Sequence, residues 1–86
     1  MIVEKDPHSL TATVLDWRDQ LQDDAITQSR FESVGLVVDA SSHQAQQATV
    51  WLSGGVAGEC YSVTCRIHTV SGRQLERSLL VQVVEL

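Results

Sequence analysis

The chain has 86 residues, of which 43% are hydrophobic and 5% aromatic, and its formal net charge is −5. A chain of this length buries about 60 to 65% of its unfolded surface, enough for one core only, so we expect a single domain over residues 1–86. The negative charge and the dispersed basic residues exclude a nucleic-acid-binding stripe, and no apolar run reaches the length of a membrane span. The chain is therefore expected to bind neither nucleic acid nor membrane.

The N-terminal segment becomes charged at Glu4 to Asp6, before a signal-peptide core could form. This predicts a protein made in the cytosol. Pro7 fixes its own φ and pushes Asp6 toward extended geometry, so residues 1–10 are expected to form a turn or a flexible arm.

The segment 11–17 alternates and predicts a first strand, with Ala12, Val14 and Asp16 on one side. Helical spacing between Trp17 and Leu21 predicts a short helical turn near residues 18–24.

Residues 26–31 resume the strand pattern, and residues 34–38 are apolar enough for a strand or for a bend at Gly35. The polar stretch 40–47 is expected to be a connection.

Strict alternation makes the C-terminal half the clearest part of the sequence. Ala48, Val50 and Leu52 share one side of a strand that ends at a Gly-Gly pair, which leaves Trp51 on the other side, exposed or covered by another element. The next strand has a longer inward set, which is Tyr61, Val63, Cys65, Ile67 and Thr69. In the last strand Leu75, Leu79, Val81 and Val83 share a parity with Arg77, which places Arg77 near the rim.

The connection between the last two strands sets their register. A two-residue loop at Ser71 and Gly72 would mix the two faces, whereas a three-residue loop over residues 71–73 sets Cys65 against Leu79 and apolar residues against each other. We therefore expect the three-residue loop, with His68 opposite Glu76 on the outer face.

Tyr61 follows a glycine-rich corner, as in the tyrosine corner of immunoglobulin-like folds, where the phenol hydroxyl bonds to upstream backbone. Together with the regular strand spacing, this predicts an all-β fold, an immunoglobulin-like or fibronectin-like antiparallel β-sandwich of about six to seven strands.

No set of residues in the sequence has the types and spacing of a catalytic, metal or phosphate-binding site. On one extended strand Cys60 and Cys65 point to opposite faces and cannot pair with each other, and their spacing to the three histidines is not that of a metal site. The glycine-rich segment 54–58 lacks the Lys-Ser/Thr of a phosphate loop. We expect neither cofactor nor metal, and no enzymatic activity.

Trp51, Val70, Leu80 and Val84 are apolar residues that the inward pattern leaves outside. An apolar outer patch on a small acidic domain favours a protein partner or a second copy of the chain. The alternative is that the N-terminal segment covers the patch.

Several sequence blocks are shared with a known type of protein. They are Lys5-Asp6-Pro7, Asp16-Trp17, Ala48-Thr49-Val50-Trp51-Leu52-Ser53-Gly54-Gly55, Tyr61-Ser62-Val63-Thr64 and Gly72-Arg73-Gln74-Leu75-Glu76-Arg77-Ser78. With these blocks the chain resembles short phage and prophage virion structural proteins of the fibre-tail adaptor, or neck-tail connector, type. It departs from them between Phe31 and Gly35, where a Trp and a Pro are usual, and at Leu75, where a polar residue is usual.

The resemblance implies a non-enzymatic adaptor that joins tail or neck components in the virion. It implies other virion structural proteins as partners, copies arranged in a homo-oligomeric ring, and an interface that includes Trp51, Arg73, Glu76 and Arg77. The alternative is an immunoglobulin-like adhesion or carbohydrate-binding module, which would present a row of exposed aromatic side chains on one face. A small enzyme or regulator would instead need a deep pocket.

Overall fold

A computed structural model describes residues 2–85. The elements in this range are β1 (Ile2–Lys5), β2 (Thr11–Asp16), α1 (Arg18–Leu21), β3 (Ile26–Ser33), β4 (Leu36–His43), β5 (Gln47–Gly54), β6 (Cys60–Thr69) and β7 (Gln74–Val83). The predicted all-β class is confirmed, as is the short helical turn after Trp17. No helix in the described residues is long and apolar enough to cross a membrane.

The seven strands form two sheets, with the orders β1-β7-β6-β3 and β2-β5-β4. All strand pairs are antiparallel except β1 and β7, which run parallel. The expectation of a wholly antiparallel sandwich is therefore wrong at this edge. A parallel pair needs a long crossover connection, and here all the strands from β2 to β6 lie in the chain between β1 and β7.

The N-terminal segment differs from the expected arm, because β1 is a paired strand and the Lys5 side chain is buried. Lys5 Nζ donates hydrogen bonds to the backbone oxygens of Asp6 at 2.7 Å and Gly54 at 2.9 Å. Two carbonyl acceptors compensate the ammonium for lost water, and the aliphatic stem packs in the interior. Lys5 thus ties the first strand to the end of β5.

The core lies between the sheets and is aliphatic, as the alternating strands require. Its buried hydrophobic residues are Leu15, Trp17, Leu21, Ile26, Phe31, Leu36, Ala48, Val50, Leu52, Val63, Cys65, Ile67, Leu79, Val81 and Val83. The predicted inward sets of β5, β6 and β7 are confirmed. In β2 the inward set is Thr13 and Leu15, which leaves Ala12 and Val14 outside.

Half of the polar stretch 40–47 that was expected to be a connection belongs to β4, and residues 44–46 form the connection. β4 extends to His43, although every residue from Asp39 onward is exposed. β4 pairs only with β5 and is therefore an edge strand, whose side chains can stay in water without loss of core packing. A polar sequence at such a position carries no alternation to reveal the strand.

The register of β6 and β7 is shifted by two residues from the prediction. Cys65 lies opposite Arg77 where Leu79 was expected, and His68 lies opposite Gln74 where Glu76 was expected. A shift of two residues keeps every side chain on its predicted face, because side chains alternate with a period of two. The assignment of faces is therefore right although the pairing is wrong.

The loop explains the shift. The Thr69 N–H donates to the Arg73 oxygen at 3.0 Å and the Gly72 N–H donates to the Thr69 oxygen at 3.0 Å, so the three loop residues are 70–72. Gly72 is the third of them and has φ +91°. Three-residue hairpin loops place their left-handed residue in this position, and the predicted loop had placed the glycine second.

The tyrosine corner is formed by β6 and the segment before it. The Val56 N–H donates to Tyr61 Oη at 3.0 Å, so the predicted hydrogen bond to upstream backbone is confirmed. The other side of the ring rests on Gly35, in the connection between β3 and β4, where φ is +99° and a Cβ would lie 2.4 Å from Tyr61 Cε1. Tyr61 therefore holds two connections together at one end of the sandwich.

Candidate protein-binding interface

Trp51 lies on the outer face of the β2-β5-β4 sheet. Its neighbours along β5 alternate, with Val50 and Leu52 fully buried below it. Across the strands it is paired with Ala12 of β2 and Ala40 of β4, both exposed and too small to cover the indole. Trp51 is therefore half-buried by its own sheet, and its outer side faces solvent.

The surface around Trp51 consists of apolar and small polar side chains, and its charged residues lie at the margins: Asp16 at the end of β2 and Asp39 at the register shift of the edge strand β4. We define the Trp51 face as Ala12, Val14, Val37, Ala40, Ser42, Thr49, Trp51 and Ser53, which share the outer parity of the three strands. Val14 is 47% exposed and Val37 56%. Both were missed as interface candidates, because the two sides of β2 could not be told apart in the sequence and β4 had no alternation.

The outer face of the other sheet has the opposite character. Arg66 lies between two carboxylates, with its Nη1 3.1 Å from Glu32 Oε1 and its Nε 2.7 Å from Glu76 Oε2. Arg30 also contacts Glu32, at 3.0 Å. These pairs are half-exposed, and water screens such pairs so that each contributes little to stability. Glu76, a predicted interface residue, thus lies on a polar surface with its charge already paired.

Arg73 is part of a cluster that fastens the β6–β7 loop to the segment after α1. Its Nε lies 3.1 Å from Asp24 Oδ2, and its Nη2 donates to the Gln20 oxygen at 3.2 Å. Asp24 also accepts hydrogen bonds from the Ser71 hydroxyl at 2.6 Å and the Ser71 N–H at 3.1 Å. Hydrogen bonds from the Ser71 hydroxyl, and next from the Thr69 side chain, hold the pKa of Asp24 well below its ordinary value.

Arg77 has the inward parity that was predicted and lies at the open side of the sandwich. Its guanidinium carbon is 5.1 Å from the centroid of the buried Trp17 ring, a cation–π distance. Its Nη1 also donates to the Asp16 oxygen at 2.6 Å. Arg77 therefore closes the gap between β7 and the end of β2.

The four predicted interface residues do not form one surface. Trp51 and Glu76 lie on opposite faces of the sandwich, and Arg73 and Arg77 make contacts within the chain. The outward apolar residues are also dispersed: Val70 lies in the β6–β7 loop and is 71% exposed, and Leu80 lies beside Ile2 on the four-stranded sheet. Of the four predicted interface residues, Trp51 is the one with other exposed apolar side chains around it on its own sheet.

Two aromatic residues besides Trp51 and one of the two cysteines are buried. Trp17 and Phe31 are buried, so within residues 2–85 no row of exposed aromatic side chains forms on one face. Cys60 is exposed and Cys65 is buried, both unbridged, and burial raises the pKa of the Cys65 thiol to about 11. The predicted placement of the two cysteines on opposite faces of one strand is confirmed.

Comparison with family models gives a match to the podophage GP4 fiber-tail adaptor protein gp77, over residues 5–82. The chain belongs to this family. The predicted resemblance to fibre-tail adaptors is thereby confirmed, and the chain is a phage structural adaptor, a virion protein that interacts with other tail proteins. A search of curated proteins finds no match.

The matched range begins at Lys5, whose side chain anchors β1 to the end of β5, and ends at Gln82 in β7. It therefore includes the three-stranded sheet, β3, β6 and nearly all of β7, the tyrosine corner and the whole Trp51 face, but only the last residue of β1. The apolar surface lies within the part of the chain that defines the family.

Proposed function

We propose that this protein joins tail or neck components of a phage or prophage particle through protein–protein interfaces, and that the Trp51 face is one of these interfaces. The observation that carries the proposal is the contrast between the two outer faces. One face carries paired charges at its centre, and the other is centred on a half-buried tryptophan with its charged residues, Asp16 and Asp39, at the margins. Interface centres are typically depleted of charge and enriched in aromatic residues.

The Trp51 face is too small to hold a partner by itself, so it would bind together with other contacts. Three strands about 4.8 Å apart, each presenting about 20 Å of length, offer roughly 300 Å². A stable pairwise complex usually buries about 800 Å² on each partner. The face therefore suits a protein present in several copies, in which weak contacts act together.

We further propose that the copies form a homo-oligomeric ring in the assembled particle, and that the adaptor has no catalytic activity. A ring needs two different surfaces on each copy that meet head to tail. Support for a structural role comes from the family itself, and from Asp24, whose perturbed pKa is explained by contacts that hold a loop in place. The sandwich is proposed to be immunoglobulin-like, on the evidence of its tyrosine corner.

The test is binding of purified adaptor to tail particles that lack it. Trp51→Ala is expected to weaken binding by about 30-fold or more, the loss typical of an aromatic residue at an interface centre. Ser62→Ala, on the outer face of the other sheet, is the control and should leave binding unchanged. Both variants should show the wild-type circular dichroism spectrum.

Two results would count against the proposal. If folded Trp51→Ala binds as tightly as the wild type, the Trp51 face is not an interface. If the wild-type protein is a strict monomer by light scattering and binds no tail component, the adaptor role itself fails for this chain.

A further inference from the structure

β2 differs from the other strands that lie at the edges of the two sheets. β1 has only four residues. β3 and β4 each contain a register shift and carry charged side chains, Arg30 and Glu32 in one and Asp39 in the other. Short length, bulges and charge are the features that stop edge strands from pairing with other chains. β2 pairs with β5 in an unbroken register over six residues and has no charge before Asp16.

The free edge of β2 presents backbone groups without partners in residues 2–85. The Trp17 N–H donates to the Gln46 oxygen at 2.9 Å. Since hydrogen-bonded and non-bonded pairs alternate in an antiparallel ladder, Thr13 is a bonded residue of the β2–β5 pair, and Ala12 and Val14 direct their N–H and C=O groups away from β5.

The β2 edge also holds an unsatisfied side-chain group, the hydroxyl of Thr13. The residue is only 6% exposed, and its Oγ1 has no hydrogen-bond partner in the described chain. Buried hydroxyl groups nearly always have one. A donor or acceptor that comes to this edge from outside would satisfy it.

We propose that the β2 edge is the site at which two copies of this chain pair, as antiparallel strands related by a twofold axis at Thr13. In this register Ala12 faces Val14 of the second copy, and each such pair exchanges two backbone hydrogen bonds. Thr13 faces Thr13 of the second copy in a non-bonded pair, where Cα atoms are about 4.5 Å apart and side chains are closest. The two hydroxyl groups can then bond to each other, a favourable cross-strand contact.

The second copy is the occupant because the strand is complementary to itself in this register. Any register centred between two residues would set inward Thr13 against outward Ala12 or Val14 and mix the faces. A twofold axis at Ala12 would require Leu10, which precedes the strand. An axis at Val14 would require the Asp16 carbonyl, which Arg77 already holds.

Pairing would join the two three-stranded sheets into one of six strands. Ala12 and Val14 of both copies would lie between the two tryptophans, so that the two Trp51 faces become one continuous apolar surface. The pairing stands on the geometry of the edge, and only its use in binding tail proteins rests on the proposed function. An isologous contact of this kind is separate from the head-to-tail contact of the proposed ring.

Disulfide trapping tests the register. In a Cys60→Ser background, which removes the exposed thiol, Thr13→Cys is expected to give a disulfide-linked dimer under mild oxidation. Val14→Cys is the matched control, because residues 14 of the two copies lie two steps of about 3.3 Å apart along the strand, too far for a bridge after the strand spacing is added. Equal cross-linking at both positions would overturn the register.

Light scattering tests the pairing without a change at Thr13. The wild type is expected to reach twice its 9.5 kDa chain mass at high concentration. Val14→Pro removes one outward N–H, at an edge where proline is tolerated. This variant is expected to stay monomeric with an unchanged circular dichroism spectrum. A wild type that remains monomeric up to millimolar concentration would overturn the proposal, as would a Val14→Pro protein that still forms the dimer.

Binding to tail particles separates this inference from the proposed function. A monomeric wild type that binds them would overturn the pairing and leave the adaptor role intact. A disulfide-linked dimer of the Thr13→Cys variant, from a protein that binds no tail component, would support the pairing and contradict the adaptor role.

Discussion

Replacement of Gly35 by alanine tests how closely the β3–β4 connection approaches Tyr61. A Cβ at this position would lie 2.4 Å from Tyr61 Cε1 and 2.5 Å from Cδ1, and φ is +99°. An L-residue in left-handed geometry costs about 1–2 kcal/mol, and an overpacked contact costs about 1–3 kcal/mol more. We expect Gly35→Ala to lower the free energy of unfolding by about 2–5 kcal/mol.

The measurement is urea unfolding followed by tryptophan fluorescence, supported by thermal unfolding, in which each kcal/mol shifts Tm by about 4–8 °C for a domain of this size. Gly58→Ala is the control. Gly58 has φ +89° but a Cβ there meets no atom within 4 Å, so only the backbone cost of about 1–2 kcal/mol remains.

Removal of the Tyr61 ring shows how much of the loss of unfolding free energy in Gly35→Ala is due to contact with that ring. In a Tyr61→Ala background, Gly35→Ala should cost no more than Gly58→Ala costs in the wild type. Equal losses for Gly35→Ala and Gly58→Ala in the presence of the ring would refute the close contact and leave backbone geometry as the whole effect.

Two further predictions concern ionisable groups. Hydrogen bonds from Ser71 lower the folded-state pKa of Asp24, so its ionised carboxylate stabilises the fold above about pH 4, and this contribution is lost as the pH falls below the unfolded-state pKa. Asp24→Asn should therefore reduce the loss of stability on acidification, measured by urea unfolding between pH 6 and pH 2.5. An unchanged pH dependence in this variant would contradict the assignment. Cys60 should react with a thiol reagent in the native protein, whereas Cys65, buried and with its pKa raised to about 11, should react only on unfolding; equal native rates would contradict its burial.

The C-terminal strands could be predicted from the sequence because their period-two pattern has a direct physical cause. β5, β6 and β7 each bury one face, and that requirement fixes which residues are apolar. The register of β6 with β7 could not be fixed in the same way, because pairings that differ by two residues satisfy the same pattern. The left-handed position of Gly72 decides between them.

The sequence was less informative at the sheet edges. β4 is polar because six of its eight residues are exposed. β1 is short and contains a lysine whose burial depends on the carbonyl of the adjacent Asp6 and on the distant carbonyl of Gly54. The contacts of two predicted interface residues were hidden for a related reason: Arg73 and Arg77 look like free surface charges in a sequence, and their partners, Asp24 and the Asp16 carbonyl, are distant along the chain.

The parallel pairing of β1 with β7 also determines when the fold can be completed. β1 has no strand partner until five further strands and then β7 have been synthesised, and such non-local pairing is slow to form. Newly made chains therefore cannot complete the four-stranded sheet until β7 has left the ribosome, so that a complete sheet marks a chain whose last described strand has been released.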